Sequence, residues 1–183
     1  MNSLASSCLA FAIAFGSACA STPLESVFVP NPNNDLKVVY AHDQPGVGTI
    51  TEYVPANEEL ANWRHLLTIQ FLEGDRRSPE VLVAALEKQA GQHGGTLEWA
   101  ILERDAHSVL YEWSLSDCPK QGAAYQDQCE LARVLRGNDG LHRIAYTERA
   151  RSMDAASRAH YLEAFRAATV IKGSEGTPVV VAP

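Results

Sequence analysis

LEWAILE at residues 97–103 and SVLYEWSL at residues 108–115 are the two stretches that decide the fold class. In the second, Val109, Tyr111, Trp113 and Leu115 fall on one side of an extended chain, and Ser108, Glu112 and Ser114 on the other. Successive side chains of a strand point to opposite faces, so this alternation predicts a strand with one buried and one wetter face. Antiparallel sheets accommodate that asymmetry, whereas parallel sheets bury both faces.

Working outward, residues 66–72 (LLTIQFL) alternate in the same way, with Leu67, Ile69 and Phe71 opposite Thr68 and Gln70. Residues 36–42 (LKVVYAH) and 48–54 (GTITEYV) predict two more strands, with Asp43-Gln44-Pro45-Gly46 as the turn of a hairpin. Asn57 is placed to cap a short helix through Trp63, with Glu58 and Glu59 near its positive end. Ser78-Pro79-Glu80 starts a helix that runs to about Ala90, and its Leu82, Ala85, Leu86 and Gln89 share a face. On the other side, residues 129–136 and 141–147 predict a hairpin around Gly137-Asn138-Asp139-Gly140. Asp154 caps a last helix whose Ala155, Ala159, Leu162 and Phe165 should dock on the sheet, and the Gly173 to Pro178 stretch breaks it.

The predicted order is β-β-α-β-α-β-β-β-β-α, and short turns join the later strands. That implies one α+β domain over residues 36–172, with a mostly antiparallel sheet of about six to seven strands and two or three packed helices. The order, together with the Trp-bearing helix before an alternating strand (Asn62-Trp63 to Phe71), resembles the PsbP-like fold family, which includes DcrB-type bacterial envelope lipoproteins. The resemblance implies an α-β-α sandwich and a binding or assembly role without shared catalytic residues.

The first twenty residues carry no charged side chain. The apolar run Leu4 to Phe15 is shorter than the ~20 residues a spanning helix needs, so residues 1–20 read as an export signal. Phe15-Gly16-Ser17-Ala18-Cys19 resembles the lipobox of bacterial lipoproteins, with Gly16 where an aliphatic residue is usual. The resemblance implies lipidation of Cys19 and a membrane anchor. With Ala20 rather than Asp following, it implies an outer-membrane protein facing the periplasm. Ala18-Cys19-Ala20 also fits ordinary signal peptidase, which would leave a soluble periplasmic form. Residues 21–35, with Pro23, Pro30, Pro32 and neighbouring asparagines, read as a flexible tether, and residues 173–183 as a C-terminal tail.

Export leaves Cys118 and Cys129 as an even pair in an oxidising compartment. A disulfide between them would close a loop of about 12 residues and contribute ~3 kcal/mol. The alternative is two buried free thiols.

A net charge of −7 argues against general nucleic-acid binding. The charge is uneven: residues 133–166 hold seven arginines and four acids. Such arginines usually pair with carboxylates elsewhere in the fold.

No motif carries a reaction. The six histidines form no local metal pair, and His-Glu-x-x-His, Cys-x-x-Cys and a Walker A loop are absent. His93-Gly94-Gly95 lacks a partner Gly-x-Ser-x-Gly elbow. Glu98 and Glu112, with Glu103 and Asp105 nearby, read as solvated acids rather than an acid–base pair. No catalytic residue, metal ligand or cofactor is therefore assigned. The candidate ligand pocket is aromatic: Trp99, Tyr111 and Trp113 can meet across a strand pair, and Arg133 and Arg143 can converge to hold an anionic group. The functional expectation is a non-enzymatic envelope lipoprotein whose periplasm-facing domain binds a protein or a small apolar ligand. The alternatives are an envelope-acting hydrolase, a lipid or small-molecule carrier, and an immunity or inhibitor protein.

Overall fold

The computed structural model describes residues 25–30, 35–118 and 127–172. Along the chain come β1 (Glu25–Phe28), β2 (Leu36–Gln44), β3 (Gly48–Pro55), β4 (His65–Glu73), α1 (Pro79–Ala90), β5 (Thr96–Arg104), β6 (Ser108–Ser116), β7 (Gln128–Arg136), β8 (Gly140–Glu148), α2 (Ala155–Ala167) and β9 (Thr169–Lys172). Seven strands form one antiparallel sheet in the order β2-β3-β4-β8-β7-β6-β5. The class is α+β, as the alternating stretches predict.

The alternation in β6 sorts the core into two layers. Val109, Tyr111, Trp113 and Leu115 face α1, where Leu82, Val83 and Leu86 meet them. Leu110, one step out of phase, belongs to the opposite layer with Leu131, Ile144, α2 and Val27 of β1. Each fully buried side chain of this size is worth roughly 1.5–3 kcal/mol relative to leaving it exposed. The α2 stripe is Tyr161, Ala164, Phe165 and Ala168, not the Ala155–Ala159–Leu162–Phe165 set that spacing favours. The larger rings of Tyr161 and Phe165 are buried, and the two early alanines are exposed.

Three segments differ from expectation. Residues 57–63 form turns, not a helix. Here the Glu58 carboxylate accepts the backbone N–H of Arg64 and of His65, and Asn62 Oδ1 accepts that of Glu59. Side-chain acceptors of this kind compete with helical hydrogen bonding. Glu25–Phe28, expected within the tether, is a strand instead. It pairs antiparallel with β9, Glu25 opposite Lys172 and Phe28 opposite Thr169, and Val27 and Val29 are buried. The last helix stops at Ala167, so β9 rather than Gly173 ends it. Residues 1–20 with Cys19, residues 21–24 and 31–34 of the expected tether, and residues 173–183 lie outside the described residues. No described helix is long and apolar enough to cross a membrane.

The expected disulfide is absent, and Cys118 and Cys129 are free thiols. Asp117 turns the chain with φ 56° just before Cys118. The Cys118 sulfur then lies 3.9 Å from the Gly94 carbonyl, on the β5 side, while the Cys129 sulfur lies 3.9 Å from the Glu148 carbonyl of β8. Strands are spaced ~4.8 Å apart, so these directions carry the two sulfurs away from each other. Burial pushes the Cys129 thiol up to about 12 and also raises that of Cys118. Alkylation of the native protein should therefore label Cys118 first and Cys129 only on unfolding. An intact mass two protons short of the dithiol form would contradict this.

Candidate functional site

The predicted pocket does not assemble. β7 and β8 pair Arg133 with Ile144 and Val134 with Arg143, so the two arginines point to opposite faces. Arg133 serves α2: its guanidinium donates to the carbonyls of Phe165 (2.7 Å), Arg166 (2.9 Å) and Ala168 (3.3 Å), and to Ser108 Oγ (3.0 Å). That places a cation against the orphan carbonyls at the negative end of the helix.

Arg143 lies on the α1 face inside a closed network. It donates to Glu130 Oε1 at 2.6 Å and to the Tyr111 hydroxyl at 3.1 Å. Glu130 also accepts the Trp113 indole N–H (3.0 Å) and the Thr147 hydroxyl (3.1 Å). Trp99 stacks on Tyr111 at 4.9 Å and on Trp113 at 6.4 Å. The aromatic cluster and its two charges are thus packed core. Burial pushes the Tyr111 phenol up to about 12. Burial also disfavours the Arg143 cation, but Glu130 and Tyr111 outweigh it and hold its pKa above the ordinary value.

The acids singled out in the sequence are engaged separately. Glu112 is ion-paired with Arg158 at 2.8 Å, and Glu98 accepts the Ser114 hydroxyl at 3.2 Å. Glu103 pairs with Arg166, and Asp105 accepts the N–H groups of His107 and Ser108. No two of these carboxylates share a hydrogen bond. Of the C-terminal arginines, Arg143, Arg151, Arg158 and Arg166 are ion-paired, and Arg149 lies 4.1 Å over the Trp63 ring.

The site is elsewhere. On the α2 face, a cavity of about 470 Å³ lies between the N-terminal half of α2 and the neighbouring ends of β2, β3, β4 and β8. Its aromatic wall is Tyr146 of β8 and Tyr161 of α2, stacked with centroids 3.7 Å apart. His65 stacks on Tyr146 from the other side at 6.5 Å, and His160 meets Tyr161 edge-on at 5.0 Å. Beneath the wall, the Tyr146 hydroxyl donates to Glu148 Oε1 at 3.1 Å, while Glu148 Oε2 accepts the Asp154 N–H at 3.0 Å. Asp154 in turn caps α2, accepting from Ala156 and Ser157. One buried carboxylate thereby fixes the β8 tyrosine and the helix start together. Burial pushes the Tyr161 phenol up to about 12 and raises that of Tyr146 further, so both stay neutral.

The polar wall is Glu58 and His65. Glu58 Oε1 lies 2.6 Å from His65 Nδ1, and Oε2 takes the two backbone N–H groups of Arg64 and His65. Burial alone would raise the Glu58 carboxyl, but these three donors hold it below its ordinary value. An ionised carboxylate only accepts, so His65 Nδ1 is the donor of this hydrogen bond. Ser157 adds a hydroxyl, and among the described residues no lysine or arginine lines the cavity. His160 Nε2 is buried without a hydrogen-bond partner among the described residues. Among those residues, no group of three or more His, Cys, Asp or Glu side chains is placed to hold a metal ion.

Chemically, the arrangement offers the Glu58–His65 pair, the His160 imidazole and the Ser157 hydroxyl in a space of ligand size. Sequence reading misses it because it places Glu58 in a helix and because the other lining residues come from five separate elements. The one local signal is His65, a polar residue heading an apolar strand.

No family model, no curated protein and no solved structure matches this chain.

Proposed function

We propose that this chain is a non-enzymatic binding domain of the bacterial cell envelope that holds a small ligand in the cavity beside α2. The cavity carries the reading: an open cleft of about 470 Å³ edged by Tyr146 and Tyr161, on which Glu58, His65, Ser157 and His160 converge, is of small-molecule size. The envelope assignment rests on the uncharged apolar leader and the small residues before Cys19. Five residues, 20–24, separate Cys19 from β1. That length spans at most ~20 Å, so a lipid on Cys19 would hold the domain close to the bilayer rather than on a long tether. A seven-stranded antiparallel sheet with a helix on each face supports the likeness to the PsbP-like family.

Native mass spectrometry of protein isolated from envelopes tests the reading. The parent should carry the mass of a small molecule, and Ala156→Trp, which fills the cavity, should not. Bare protein in both cases would defeat it. The Glu58–His65 pair supports a second reading, a hydrolase that uses His65 as general base. Turnover of a chromogenic ester that vanishes in His65→Ala but survives in Glu112→Gln would favour that reading over pure binding.

A further inference from the structure

We propose that β1 is an acid-released clasp: protonation of His142, buried against it, frees Glu25–Phe28 from the body of the domain while the seven-stranded sheet stays folded.

The attachment of β1 lets it leave alone. It lies outside the seven-stranded sheet, and its partner β9 is also four residues long, so its departure breaks no hydrogen bond of the large sheet. One face holds it down. Val27 and Val29 enter the core with Leu67, Ile69 and Ile144, and Glu25 is buried on the same face. The polar hold is the Glu25 carboxylate, which accepts the Asn138 and Asp139 N–H groups of the β7–β8 turn. Against that carboxylate lies His142 of β8, on the face it shares with its register partners Phe71 and Leu135, which is the face β1 covers. Its Nε2 is 3.6 Å from Glu25 Oε2, beyond hydrogen-bond length, and has no hydrogen-bond partner among the described residues.

A histidine is the side chain that titrates near neutrality. The charges around this one are Glu25 on β1, Lys172 opposite it on β9 and Asp139 in the turn, while Arg76 reaches the turn at the Asn138 carbonyl and β4 offers the Phe71 ring. Burial lowers the His142 imidazole below its ordinary 6.5, and Glu25 and Asp139 only partly offset it. The docked ring therefore stays neutral where a solvated ring takes up a proton, and falling pH favours the detached strand. Leu67 belongs both to the core under β1 and to the cavity lining, so release widens the cleft on that side. On the envelope reading above, it also lengthens the chain after Cys19 from the five residues before β1 to the sixteen before β2, from at most ~20 Å to at most ~55 Å.

Hydrogen exchange of the protein in solution, read by mass spectrometry and normalised to the intrinsic rate at each pH, tests the clasp independently of any anchor. Peptides covering residues 25–30 and 169–172 should exchange about a hundredfold or more faster than those of β4 and β7, with little dependence on dilute urea, the marks of a local opening. Their opening should rise about tenfold from pH 7.5 to pH 5.5, the factor set by a detached histidine with an ordinary 6.5. His142→Phe and His142→Gln, neither of which titrates, should hold that ratio near one. Glu25→Gln should raise the opening at both pH values without narrowing the ratio. A β1 that exchanges at the rate and with the urea dependence of β4 and β7 leaves only when the whole domain unfolds, and the clasp is overturned. A parent ratio near one, or a tenfold ratio that persists in both His142 variants, overturns it as well. The envelope reading is decided separately, by the native mass of protein isolated from envelopes.

Discussion

Glu130→Ala should lower the free energy of unfolding by about 3–5 kcal/mol, the usual consequence of deleting one member of a buried ion pair. Glu130 is 6% exposed. Its removal strips the acceptor from the Arg143 guanidinium, the Trp113 indole and the Thr147 hydroxyl at once. The Arg143 cation would then sit under α1 with only Tyr111 as a neutral partner. Arg143→Met should also destabilise, because it leaves Glu130 charged and buried. The double variant Glu130→Leu with Arg143→Met should recover much of the loss, since neither charge remains to be desolvated. Urea unfolding of the parent, both single variants and the pair closes the cycle. A Glu130→Ala protein within 1 kcal/mol of the parent would show that the network is not desolvated as described.

The same network explains what the sequence showed and what it hid. Strand positions were readable because Val109, Tyr111, Trp113 and Leu115 obey a period of two, but the expected wetter face appears only from Glu112 onward, since Ser108 and Leu110 are buried on the other side. Helix starts were readable at Ser78 and Asp154, whose side chains do cap α1 and α2. Arg133 and Arg143 lie ten residues apart across a hairpin, and only the register decides whether they share a face. A shift of one residue would have brought them together, and composition holds no information on that shift. β1 was hidden because four residues between Pro23 and Pro30 look like linker, and its partner β9 lies about 140 residues away. The cavity was hidden for a related reason. It lies beside a helix whose buried stripe is Tyr161, Ala164, Phe165 and Ala168 rather than the alanines that helical spacing favours.

β1 also sets the second large effect: Glu25→Ala should cost about 3 kcal/mol and change how the protein responds to acid. Glu25 is buried beneath the β7–β8 turn, where its carboxylate accepts Asn138 N–H (2.9 Å), Asn138 Nδ2–H (2.9 Å) and Asp139 N–H (3.0 Å). Gly137 makes room for it, since a Cβ there would fall 2.1 Å from Glu25 Oε2. His142 Nε2 lies 3.6 Å from the same oxygen, and the His142 ring stacks on Phe71. Burial would raise the Glu25 carboxyl, but the turn's donors hold it below its ordinary 4.5. Burial lowers the His142 imidazole below its ordinary 6.5, and Glu25 only partly restores it. Both shifts have the same sign for stability. The unfolded chain takes up a proton on His142 below pH 6.5 and on Glu25 below pH 4.5, before the folded protein does. Stability therefore falls with falling pH, first through His142 and then through Glu25. His142→Phe, which keeps a ring against Phe71, should flatten the loss between pH 7 and pH 5 in urea midpoints. Glu25→Ala should steepen it, because of the two acids that favour the charged form of His142, Glu25 and Asp139, it loses the stronger. If both variants track the parent in parallel across that range, the buried pair does not govern the acid response, and β1 is held by its apolar contacts alone.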